Sequence, residues 1–202
     1  MRQRFEFLED YKARIIFLWG IIGFVLLSII DLSKGRIGML LYFVIIIILY
    51  LFLYKLSLKY YLLSIFLISI IEETIVYFIG GGLHGLAKSL IHDYIRSIPI
   101  FLTHAFLWLK YMSRYEYAEG EIFLLAGLHG FFWEIVISGM IFNPVLLILF
   151  GGTPFILYGL LVLISDRPKG KEKINKIRKI TLWIIYLLIE VTIGTIFVIL
   201  FP

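Results

Sequence analysis

The residues able to do chemistry in this chain are few, and they sit in apolar surroundings. Glu72 and Glu73 are adjacent in one apolar run, His104 lies in the next, His129 and Glu134 in the one after, and Glu190 near the end. Cysteine is absent, which excludes a thiolate nucleophile, a disulfide framework and a Cys-ligated zinc or iron–sulfur centre. Ser64, Ser69 and Ser138 lack the setting of a nucleophile elbow. The remaining carboxylates and imidazoles suit the activation of water. A glutamate can serve as general base while histidine supports the oxyanion. Alternatively, Glu73, His104 and His129 can ligate a divalent metal such as zinc. Adjacent glutamates on a helix point about 100° apart, so only one of Glu72 and Glu73 faces a reacting centre fully. The other orients a histidine or holds a proton. His84 and His92 fall in a glycine-rich connection and read as surface residues.

The elements that must position these groups follow from composition. Of 202 residues, 61% are hydrophobic and 16% charged, with mean hydropathy +1.00. A soluble domain is about half apolar and about a quarter charged. An ordinary cytosolic enzyme, a disordered chain and a fibrous protein are therefore excluded, and an all-α, polytopic membrane bundle is expected. Spanning takes about 20 apolar residues. Seven segments qualify: 14–31, 37–54, 60–79, 98–112, 121–140, 144–165 and 180–200. Gly151-Gly152-Thr153-Pro154 is expected to break or kink the sixth. Residues 83–95, after a glycine-rich turn, form an amphipathic stretch expected at the outer interface.

Seven spans divide the basic residues into 15 on one side and four on the other. The larger group includes Arg2, Arg4, Lys110, Arg114 and the run from Arg167 to Lys179. Basic loops stay in the cytoplasm. The N-terminus is thus placed in the cytoplasm and the C-terminus outside, in the cell membrane, and no cleavable signal is expected. The net charge of +5 reports this orientation rather than a nucleic-acid partner. The loop 166–179 fixes topology and meets anionic head groups. The whole chain, 1–202, reads as a single membrane domain with residues 60–140 as its functional core.

A charge at the bilayer centre costs at least ~2.5–3.5 kcal/mol, so ionisable residues there mark function. At ~1.5 Å per residue, Glu73, His104, His129, Glu134 and Glu190 fall within a slab roughly 9 Å thick. Four helices bringing such groups to one depth argues for a site. A lone membrane histidine more often only bonds a neighbouring helix, and Glu134 and Glu190 take supporting roles on that ground.

These residues resemble a superfamily of membrane proteins: CAAX prenyl proteases, bacteriocin-processing proteins and PrsW-type proteases. Glu72-Glu73-Thr74-Ile75-Val76-Tyr77 is similar to the Glu-Glu-x-x-x-Arg motif of the CAAX-type branch, with Tyr77 at the arginine position. His104 and His129 stand on later helices as the family's histidines do, with Trp133 at the amide position. The PrsW-type pattern is similar to Glu73 with Tyr77, then Arg96 and Pro99, then Leu128-His129-Gly130. Its earlier Glu-Glu-x-x-Lys helix has no counterpart here. The resemblance covers roughly residues 64–139. It implies a polar cavity among membrane helices and hydrolysis of a peptide bond in or near the membrane, by glutamate-activated water or by a metal. On that reading Glu72, Glu73, His104 and His129 are catalytic, Tyr77 orients Glu73, and Arg96 contacts substrate or caps the cavity. Partners are then membrane lipids and a membrane-associated peptide or protein substrate. The superfamily also contains non-catalytic scaffolds, which keeps that alternative open. A proton- or metal-coupled transporter is a further one, but it should show a repeat or paired broken helices, and only one broken helix is expected here.

Overall fold

Among the described residues, each of the seven expected segments is mainly helical. The structure, a computed structural model, describes residues 2–30, 34–53, 57–79, 89–137, 140–164 and 172–201. Its helices are α1 (Tyr11–Ile30), α2 (Lys34–Leu53), α3 (Leu58–Ile79), α4 (Leu90–Arg114), α5 (Glu119–Phe131), α6 (Pro144–Phe150), α7 (Thr153–Leu163) and α8 (Lys176–Leu200). Among the described residues the fold is all-α, with a single β-bridge between Tyr115 and Glu172. Among the described residues, two stretches are long and apolar enough to cross a membrane, Pro144–Leu163 and Lys176–Phe197.

The chain divides into two compact units. One holds residues 1–55 and 118–164, the other residues 56–117 and 165–202. The expected core of 60–140 is shared between them.

In the first unit, α7 is the centre, and every residue of it is buried. It packs against α5, α1 and α2. The approach of α5 depends on absent side chains. A Cβ on Gly127 would lie 2.5 Å from the Phe155 backbone, and one on Gly130 would run into the Tyr158 ring. Residues 2–9, before the first expected segment, form a 3₁₀ turn that carries Phe7 inward. Phe7 is fully buried and stacks on Phe123 at 4.7 Å. Asp10 then starts α1, its carboxylate accepting from the Lys12 and Ala13 amides at 2.8 and 3.1 Å.

The break expected at Gly151–Pro154 is present: α6 ends at Phe150 and α7 begins at Thr153. The freed carbonyls find other donors. The Gly151 amide donates to Leu147, Trp19 Nε1 to Ile148 at 2.7 Å, and Thr153 Oγ1 to Phe150 at 2.7 Å. Gly23 of α1 faces the Leu149 carbonyl so closely that a side chain there would collide with it.

In the second unit, α4 packs against α3 and α8. Helix α4 begins at Leu90, eight residues before the expected segment, and carries Pro99 inside it. The expected interfacial stretch 83–95 is therefore not a separate element over 90–95. Its earlier part, with His84, lies outside the described residues. Ser89 and Asp93 support this early start: the His92 amide donates to Ser89 Oγ at 3.2 Å, and Asp93 sits in the first turn, where negative charge suits the helix dipole.

Three ties fix how α4 and α8 run. His92 Nε2 donates to the Phe201 carbonyl at 2.9 Å. His104 Nδ1 donates to Glu190 Oε1, also at 2.9 Å. The Arg178 guanidinium lies over the Tyr115 ring, 5.6 Å from its centroid. As the α4 partner moves forward from 92 to 104 to 115, the α8 partner moves back from 201 to 190 to 178. The two helices are antiparallel and in register over their whole lengths.

Candidate functional site: a buried histidine–glutamate pair

Asp93, Ser97, His104 and Trp108 are all buried on α4. Their spacing puts them within about 60° of one another around the helix axis. This is a polar stripe down the packed face of α4. Among them His104 meets α8: its side chain is 5% exposed, that of Glu190 is 1% exposed, and the two are hydrogen-bonded at 2.9 Å. The Trp108 ring lies 6.1 Å from the imidazole, one turn along α4.

The direction of that bond has a chemical consequence. A carboxylate only accepts. With Glu190 ionised, Nδ1 of His104 carries the proton, and in the neutral ring the lone pair is on Nε2. A carboxylate behind Nδ1 fixes ring orientation and tautomer, and it stabilises the imidazolium that forms when Nε2 takes a proton. The same arrangement is the usual outer shell of a zinc-binding histidine.

On helix α3 the adjacent glutamates differ in burial. Glu73 is buried and Glu72 half-buried. One residue on, Thr74 Oγ1 and Tyr94 Oη share a 2.6 Å hydrogen bond, and Thr74 Oγ1 also donates to the Ile70 carbonyl at 2.6 Å. This tie joins α3 to the early turns of α4. It is Glu190, expected as support, that His104 meets. Arg96 is half-buried in the early turns of α4, and Tyr77 is 40% exposed with its ring edge-on to Phe78.

His129 and Glu134 belong to the other unit. His129 is fully buried at the end of α5, with Nδ1 donating to the Leu125 carbonyl at 3.2 Å. A carbonyl also only accepts, so this ring too carries its lone pair on Nε2. The fifth segment does not run on as an α-helix. It passes into a π-helical turn, Phe132–Ile137, that contains Glu134, a distortion common near functional groups. The Glu134 carboxylate accepts from Tyr158 Oη at 3.1 Å.

Sequence reasoning missed Tyr158, Thr74, Tyr94, Asp93 and Ser97. The last two carried a signal: polar residues at 93, 97, 104 and 108 recur at steps of four, seven and four, as a packed helix face does. Comparison with family models, with curated proteins and with solved structures found no match to this chain.

Proposed function

We propose that the chain is a seven-span protein of the cell membrane, with its N-terminus in the cytoplasm, and that its His104–Glu190 pair activates water to hydrolyse a peptide bond in or near the bilayer. The observation that carries this reading is the 2.9 Å bond between two buried ionisable side chains on α4 and α8. Its position supports the membrane part. From His92 to Arg114, α4 rises about 33 Å, close to the ~30 Å hydrocarbon core, and His104 lies near the middle of that rise. Ionisable groups at that depth are costly and are kept where they act.

The chemistry follows the dyad. Glu190 holds the Nδ1 proton of His104. Nε2 takes a proton from water as the water oxygen bonds to the scissile carbonyl carbon. The C–N bond then breaks, and the imidazolium returns the proton to the departing amine. A zinc ion held by His104 Nε2 would polarise the carbonyl or the water. Glu73, with Glu72 beside it, and His129 are the further candidates that the family resemblance supplies.

A second reading, the non-catalytic scaffold, draws support from the same bond. The two side chains satisfy each other and are almost wholly enclosed, which is what a pair that only joins helices needs. Oxygen-18 labelling separates the two. The full chain, reconstituted with a pool of membrane-anchored peptides in H2-18O, should yield new peptide C-termini carrying 18O. His104→Gln and Glu190→Gln should abolish them, and Glu73→Gln and His129→Gln test the remaining candidates. No labelled terminus from a normally melting wild-type chain would remove the peptidase reading and leave the scaffold.

A further inference from the structure

Hydrolysis takes up one water for each bond broken. The water's hydroxyl stays on the acyl carbon, and its other hydrogen leaves on the amine. His104 and Glu190 are almost wholly enclosed, and an apolar slab holds almost no water. The pair therefore needs a route of supply. The α4–α8 contact runs past the pair in two directions, and the two differ in lining.

Toward the Arg114 end the lining is aromatic and apolar. Trp108, one turn on from His104, is buried. On α8, Leu187 is buried, and Trp183 and Tyr186 are half-buried. All three fall within about 60° of Glu190 around the helix. Toward the His92 end the lining is polar or lacks a side chain. Ser97 and Asp93 share the stripe of His104, about 10 and 16 Å from it along α4, and are 4% and 2% exposed. Gly194 is buried one turn past Glu190 on the same side of α8. With the two helices antiparallel, it brings no side chain to the level between Ser97 and His104. Phe197 and Phe201 follow, stacked on each other at 6.1 Å, and narrow the mouth.

The start of a helix does not account for these buried polar groups. A first-turn acid complements the dipole when exposed as well as when enclosed, and Ser97 lies beyond the first turn of α4. Among the described residues neither Asp93 nor Ser97 is bonded to another side chain. Backbone and water are the partners left to them, since buried polar groups are rarely without one.

We propose that water reaches the His104–Glu190 pair from the His92–Phe201 end of the α4–α8 contact, by way of Asp93 and Ser97, and that Trp108 and Leu187 close the other end. In the proposed topology the open end is the outer one, away from the cytoplasm. The inference rests on that membrane placement and on the pair as the working site.

Because the chain has no cysteine, an introduced thiol reports alone. Ser97→Cys and Leu187→Cys stand on opposite sides of the pair. Each full chain is reconstituted into vesicles in one orientation. Silver ion, which is small and does not cross the bilayer, is added on one side and then chelated, and thiols still free are alkylated in denaturant. A melting curve on each sample shows the fold intact. Silver outside should remove the alkylation of Ser97→Cys, while Leu187→Cys should alkylate fully with silver on either side. An unreacted Ser97→Cys overturns the inlet. Reaction of Ser97→Cys from the cytoplasmic side alone, or equal reaction of both thiols, overturns its direction. Hydrolysis is read separately by oxygen-18, so a silver-blocked Ser97→Cys with no labelled peptide would keep the inlet and remove the peptidase. If the wild type does label, Ser97→Leu, which fills the route and leaves the pair intact, should lose the labelled termini, and Ser97→Thr should keep them. Full labelling by Ser97→Leu would overturn the route.

Discussion

Helices α5 and α7 approach each other through glycines, whereas α4 and α8 are joined by polar side chains spaced along their length. Both are neighbouring helix pairs in an apolar chain. In the first, Gly127 and Gly130 let the Phe155 backbone and the Tyr158 ring press against the α5 backbone, and dispersion over a close contact does the holding. In the second, polar and ring ties are spaced from His92 at one end to Tyr115 at the other. Burial follows the same division: 67% of the Pro144–Leu163 window is buried, against 17% of Lys176–Phe197. The lesson concerns where an ionisable group can be kept. A dry, close-packed helix has no place for one unless it is satisfied, and in the first unit Glu134 accepts from Tyr158 where the helix loosens into a π turn. A helix with one open face can hold a hydrogen-bonded ionisable pair on the face that packs.

The comparison breaks most sharply at the α4–α8 pair. Glu190→Leu leaves His104 buried without its acceptor and should lower stability by about 3 kcal/mol, as loss of one partner of a buried pair does. His104→Leu together with Glu190→Leu should recover much of that loss, because the apolar pair has nothing left to satisfy. Thermal unfolding of the wild type, Glu190→Leu, His104→Leu and the double variant in one detergent measures the coupling. Strictly additive losses would mean that the two residues do not act as a pair.

The glycine-mediated contact should respond next. Gly127→Ala places a methyl group against backbone, which cannot swing aside, and should cost on the order of 1–3 kcal/mol. Gly130→Ala meets the Tyr158 ring instead. A ring can tilt, so the stability loss should be smaller, but the tilt should lengthen the Tyr158–Glu134 bond. Melting curves rank the two glycines. If Gly130→Ala is the more damaging, the Tyr158 bond matters more to the first unit than the close backbone approach does.

Much of the secondary structure was legible because apolar run length and punctuation are local. All seven segments are helical, and Gly151-Gly152-Thr153-Pro154 ends α6 where its composition says it should. The apolar run alone marks the fourth segment as 98–112, yet the helix begins at Leu90 and runs through Pro99. The π turn at Phe132–Ile137 has no local sequence signal. The site was half legible. His104 and Glu190 were both selected, because an ionisable residue in an apolar run stands out. Their pairing was not, because it depends on α8 returning across 86 residues to lie beside α4. Counting depth along each helix separately could not supply that register. The Thr74–Tyr94 tie between α3 and α4 is likewise a tertiary fact.

Trp19→Phe probes a smaller term within the first unit. It removes the donor to the Ile148 carbonyl at 2.7 Å while keeping an aromatic body against the broken helix. The expected loss is about 1 kcal/mol, read by the same melting assay. A loss as large as that of Gly127→Ala would show that closing the break between α6 and α7 matters as much as close approach.

The smallest effect is expected at the exposed end of α4–α8, and it sharpens the comparison within that pair. Glu172 binds Arg114 and Arg178 just as Glu190 binds His104, yet its side chain is 42% exposed while that of Glu190 is 1% exposed. Water and salt screen the outer pairs, whose contribution should fall within about 0–1 kcal/mol. The backbone bonds between Arg114, Glu116 and Glu172 survive the change to glutamine, and Asn175 still caps α8. Glu172→Gln should therefore shift the melting temperature little, and less as salt is raised, whereas Glu190→Gln should lose stability at every ionic strength because its partner is enclosed. Equal, salt-sensitive losses from both would mean that solvent reaches His104 as freely as it reaches Arg114. The enclosed pair would then be an open one, which favours hydrolysis over the scaffold.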